Sequence, residues 1–145
     1  MTKQIATCAK LLAQYPDQLH AVLIKPRDRR ARHIDIDDVV RNVASLSQFS
    51  IVGFTEKELG DSCLSRMEAI ARIRLALDDA GLRAKPIHIF GSLDPVSVCL
   101  YFVSGAEIFD GLTWLRYGYY EGSAMYIQNC AARLHELQHT DDQIK

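Results

Sequence analysis

Three things are scarce in this sequence of 145 residues, and each scarcity excludes a class of protein. No apolar run approaches the roughly 20 residues that a membrane-spanning helix needs. Net charge is nearly absent: 17 Lys and Arg stand against 18 Asp and Glu, a formal −1. Totals therefore indicate neither a strongly basic nucleic-acid binder nor an acidic tail, although local clusters still create fields of their own. Cysteines are few and widely spaced. Cys8, Cys63, Cys99 and Cys130 show no CxxC pattern, and each lies in a segment that reads as helix or core. With no secretory apolar segment near residue 1, the expectation is buried, reduced thiols in a cytoplasmic protein.

What is present is enough apolar material for a core. Hydrophobic residues make up 48% of the chain, and its length suits one domain of the usual roughly 100–200 residues. Short β-branched runs alternate with longer amphipathic stretches. HAVLIKP (20–26), SIVGF (50–54), IHIF (87–90) and EIFD (107–110) read as strands. Asp35, followed by Asp38 and then by Val39, Val40, Val43 and Leu46 at helical spacing, opens one helix. Asp61 or Ser62 caps a second, whose Leu64, Met67, Ile70, Ile73, Ala76 and Leu77 form a stripe that Gly81 ends. Asp94 caps a third, with Pro95 at its first position.

Such alternation builds a parallel sheet, and strands that are nearly continuous apolar runs suggest a sheet covered on both faces. The predicted organisation is one domain: an N-terminal helix over 1–19, four strand–helix units over 20–120 and a helical tail over 121–145. The fold class is α/β, with parallel βα units forming a half TIM barrel. Open parallel sheets and such barrels both bind ligands at the carboxyl ends of their strands.

The four segments after the strands are therefore the ones to read for chemistry. KPRDRRARH (25–33) sets Lys25, Arg27, Arg29, Arg30, Arg32 and His33 around one acid, either a phosphate-contacting cluster or a solvated loop. In GFTEKELG (53–60), Gly53 permits close approach of a flat ligand, and Glu56 and Glu58 read as a solvated turn. In FGSLDP (90–95), Gly91 and Ser92 offer backbone N–H groups, while Asp94 and Pro95 are explained by the helix start. In FDGLTWLRY (109–117), Asp110 stands at a strand terminus, where catalytic carboxylates of parallel α/β folds are found. An acid before glycine also commonly just turns the chain.

PIHIFGSLDPVSVCLYFVSGAEIFDGLTWLRYGY resembles the last strand–helix units of the tRNA-guanine transglycosylase family. The resemblance is carried by His88, Phe90, Gly91, Pro95, Gly105, Phe109 and Asp110, matching an H-x-F-G-x-x-x-P stretch and an F-D strand end. TWLRYGY is closer to the archaeal branch. SIVGFTEKELGDS resembles, more distantly, the family's glycine-rich strand end, with Gly53 the one glycine kept.

The resemblance implies exchange of guanine for a 7-deazaguanine in nucleic acid, tRNA or DNA, through an ester between Asp110 and the sugar C1′. It implies that Gly53, Phe54, Phe90 and Gly91 border the base. Lys25, Arg27, Arg29, Arg30, Arg32 and Arg116 would contact phosphates of an unstacked strand. The family's second catalytic aspartate, in an S-G-G-F-Q stretch, has no counterpart here. Nor is its C-x-C-x-x-C…H zinc site recognisable, since only Cys130 follows the F-D strand. No metal or other cofactor is expected. The chain is expected to need a second half, as a homo-oligomer or with a complementary half-barrel subunit. The rival reading is a non-catalytic nucleic-acid-binding or subunit-forming module.

HELQH (135–139) matches H-E-x-x-H, in which His135 and His139 would bind zinc beside Glu136 as general base. A third protein ligand is wanted, and only TDDQIK follows. The segment reads more simply as a solvated or docking helix.

Overall fold

A computed structural model describes residues 1–28, 30–112, 117–120 and 123–126. Helix α1 (Thr2–Leu12) precedes strand β1 (Ala21–Ile24). Then come α2 (Ile36–Arg41), a 3-10 segment (Val43–Gln48), β2 (Ile51–Thr55), a 3-10 turn (Glu56–Glu58), α3 (Cys63–Asp79), β3 (Ile87–Phe90), α4 (Pro95–Val103) and β4 (Ile108–Phe109). Strands β1 to β4 form one parallel sheet in the sequential order β1-β2-β3-β4. An α/β chain of this order, never reversing direction across the sheet, is a half βα-barrel unit. No helix of the described residues is long and apolar enough to cross a membrane.

Helices α2, α3 and α4 begin where side chains replace missing backbone acceptors. Asp35 accepts the Asp38 N–H at 2.9 Å. Ser62, rather than Asp61, caps α3, in a reciprocal pair with Ser65. Asp94 accepts the N–H groups of Val96 and Ser97, with Pro95 in the first turn. Gly81, with φ +73°, follows the last turn of α3 in a conformation that favours glycine.

The expectation of a sheet covered on both faces is corrected. Register places Val22, Ile24, Val52, Phe54, Ile87 and Ile89 on one face, each at most 1% exposed. They join Val39, Ile70, Ile73, Leu77 and Tyr101 from the helices in one core. On the opposite face Ala21 and Leu23 are exposed, and Ile51, Thr55, His88, Phe90 and Ile108 are half-buried. Sequential strand order explains this, because crossovers of one hand return every helix to the same side. The open face is the one a closed barrel would turn inward.

Further expectations change. Leu64 is exposed rather than part of the α3 stripe, whose buried members are Ala69, Ile70, Ile73 and Leu77. Cys8 and Cys63 are half-buried and packed against the core, while Cys99 is exposed, and none of the three is paired; Cys130 lies outside the described residues. Strands β5 (Tyr117–Tyr120) and β6 (Ser123–Tyr126) pair antiparallel, and β6 lies where the helical tail was expected from 121.

Glu56 is no solvated turn residue. It accepts hydrogen bonds from the Tyr101 hydroxyl and from Arg66, both at 3.0 Å, and Arg66 also donates to the Gly60 carbonyl. This network ties the β2–α3 connection to α4.

Candidate active site at the strand ends

Extending each strand pairing by one residue sets Lys25, Thr55, Phe90 and Asp110 in one row on the open face, at the carboxyl ends of β1 to β4. The row below it is Leu23, Gly53, His88 and Ile108. Alternation of side chains along a strand makes these two rows neighbours on one surface.

Asp110 is anchored from β3. Its Oδ1 accepts the Gly91 N–H at 3.1 Å, and its Oδ2 lies 3.2 Å from His88 Nε2. Gly91 has φ +82°, which suits glycine and presents its N–H to the carboxylate. Gly111 lies so close to this loop that a Cβ there would stand 3.0 Å from the Gly91 carbonyl carbon. The carboxylate side chain remains 49% exposed, against 16% for His88. Anchored yet open, it is placed as a nucleophile needs to be.

An aromatic stack adjoins it. The rings of His88 and Phe90 have centroids 3.8 Å apart, inclined by 27°. Phe90 lies over Gly53, where a Cβ would fall 2.5 Å from its Cε2. At the other end of the row, Lys25 Nζ donates to Thr55 Oγ1 at 2.9 Å and pairs with Glu58 at 2.8 Å.

No match identifies this arrangement. No family model, no curated protein and no solved structure matches the chain.

The structure brings Asp110, Phe90, Gly91 and Gly53 together, with Gly53 serving as the bed of the Phe90 ring. Phe54 does not join them. It is fully buried on the helix side of the sheet and belongs to the core.

The expected phosphate cluster is partly spoken for by carboxylates. Lys25 pairs with Glu58, Arg32 pairs with Asp61 at 2.9 Å, and His33 lies 3.4 Å from the same acid. Arg27 lines a cavity of about 830 Å³ between α1, the end of β1 and α2, together with Lys3, Arg41, Asp35 and Asp38. Asp110 does not line that cavity, and its side chain is 49% exposed. The Arg30 N–H donates to Asp28 Oδ1. Arg29, Arg116, His135, Glu136 and His139 lie outside the described residues. Among the described residues no group of three or more His, Cys, Asp or Glu is placed to hold a metal.

Sequence reading missed His88 as a contact of Asp110, and Thr55 and Glu58 as partners of Lys25. A signal existed for the first: His88 lies two residues before Phe90, hence on the same face of β3.

Proposed function

We propose that this chain is a transglycosylase-like protein that exchanges guanine for a 7-deazaguanine in nucleic acid, with Asp110 as nucleophile. One observation carries the reading. Asp110 ends a parallel strand on the face a barrel encloses, with Oδ1 held by a backbone N–H and an aromatic ring beside it in the row. In the first displacement a carboxylate oxygen bonds to the sugar C1′ as the C1′–N9 bond breaks. Guanine departs with that electron pair and gains a proton. In the second, the incoming base loses its N9 proton and displaces the carboxylate, restoring Asp110. Two displacements retain the configuration at C1′ and need no redox cofactor.

Phe90 offers a flat face to an unstacked base, and Arg30, with Arg27 beside Asp38, remains from the predicted cluster to contact phosphates. The proton steps call for a second acid–base group, which the resemblance assigns to the absent half of the barrel. The working unit in this reading is a cytoplasmic complex with a complementary half-barrel subunit. A second copy of this chain, forming a homo-oligomer, is the other candidate for that second half.

The test is mass spectrometry of the chain incubated with guanosine-containing RNA or DNA, alone and with an N-terminal half-barrel bearing the S-G-G-F-Q strand end. The expected result is a covalent nucleic-acid adduct that has lost guanine and is abolished by Asp110→Asn. Nucleic-acid binding without adduct, even with the second half present, would leave the binding-module reading standing in its place.

A further inference from the structure

His88 is an unusual residue for its position. The inward rows of βα barrels are filled mainly by branched apolar side chains, and a polar ring among them needs a partner. His88 is 84% buried at its side chain (16% exposed), and its Nε2 has no aligned hydrogen bond among the described residues. The nearest partner is Asp110 Oδ2 at 3.2 Å, within ion-pair distance but off the line of a hydrogen bond.

The geometry points to His88 as the positioning residue of Asp110. Three contacts fix the imidazole and through it the carboxylate. Gly53 leaves space for Phe90, Phe90 stacks on His88, and His88 turns Nε2 toward Oδ2. With Oδ1 held by the Gly91 N–H, both oxygens are approached from β3, and rotation about the carboxylate's last bond is restricted. The carboxylate side chain remains 49% exposed. Nε2 must carry the proton in this arrangement, since an unprotonated nitrogen would set its lone pair against a carboxylate. Contacts of this kind in an unliganded site commonly tighten when substrate binds. His88 touches the nucleophile and not the substrate, so its effect belongs in the rate of attack rather than in binding.

The functional part of this inference rests on the transglycosylase reading; the pairing itself does not, and two measurements keep them apart. In the first, adduct formation is followed over a range of RNA concentrations in His88→Phe, which keeps an aromatic ring for the stack, and in His88→Gln, which keeps a donor near the Nε2 position. His88→Phe is expected to slow attack at saturating RNA by roughly 10- to 100-fold, as a misplaced reacting group does. Its half-saturating concentration should stay unchanged, and His88→Gln should recover most of the rate. A wild-type rate in His88→Phe, or equal losses in both variants, would overturn the assignment.

The second measurement is nitrogen NMR of the imidazole, which needs no turnover. Nε2 is expected to be the nitrogen that carries a proton toward Asp110 in the wild-type chain, and to lose that preference in Asp110→Ala. A tautomer indifferent to Asp110→Ala would overturn the pairing. A fixed tautomer in a chain that forms no adduct even with the second half-barrel present would uphold the pairing and remove the transglycosylase reading.

Discussion

Neighbouring residues in this chain divide sharply between site and core. Gly53 and Phe54 adjoin in sequence and were both expected to border a base, yet consecutive strand residues must point to opposite faces. Only Gly53 reaches the open face, and Phe54 is core. Asp110 was legible from its place at a strand end, whereas its hold by Gly91 and His88 required the register between β3 and β4. Tyr101 shows the same limit. Nothing in its sequence context singles it out, yet its hydroxyl is buried against Glu56 and Arg66. Burial, helped by the charge of Glu56 and opposed by Arg66, pushes its pKa from 10.0 up to about 12. The folded state thus holds a proton that the unfolded state releases first. Stability from this group is whole below pH 10 and is lost as the pH rises from 10 through about 12. Denaturant titrations across that range should show an alkaline loss that Tyr101→Phe largely removes. At neutral pH the same variant should cost about 1 kcal/mol for the lost hydrogen bonds.

At the scale of elements, the sequence marked helix starts better than strand surroundings. Asp35, Ser62 and Asp94 all cap as their spacing implied, because a cap is a local contact between a side chain and N–H groups two or three residues on. The pairing of β5 with β6 was missed although two residues separate YGYY from SAMY in sequence, a recognised hairpin spacing. Helix α4 matters most to the candidate site, since it begins directly after the Gly91–Ser92 turn. Asp94 accepts from Val96 N–H at 3.2 Å and from the Ser97 hydroxyl at 2.6 Å, fixing where that turn ends. Asp94→Ala should therefore destabilise the fold by about 1 kcal/mol in urea unfolding. It should also broaden the amide signal of Gly91, the donor to Asp110, while the amides of β1 stay sharp.

Taken as a whole, the described residues form a half-barrel-like unit, with Ala21 and Leu23 exposed on the face that a closed barrel would turn inward. Its β1 edge is partly guarded, because the Gln4 side chain both donates to the Lys25 carbonyl and accepts the Lys25 N–H. Such capping of an edge limits indiscriminate strand pairing. The face itself is less protected: Leu23 is 39% exposed in the row that continues through Gly53 and His88 to Ile108. In a closed barrel of eight strands that row would become an interior layer, and an arginine within it would meet packed apolar side chains. Leu23→Arg separates the two demands on this position. In the chain alone the residue already meets solvent, so its thermal unfolding should move by no more than about 0.5 kcal/mol equivalent. Sedimentation of the chain with a complementary four-strand half should show a one-to-one complex in the wild type and none in Leu23→Arg. If the variant assembles as well as the wild type, the second half does not close over this face, and the proposed role of Asp110 as nucleophile loses the acid–base partner that this closure would supply.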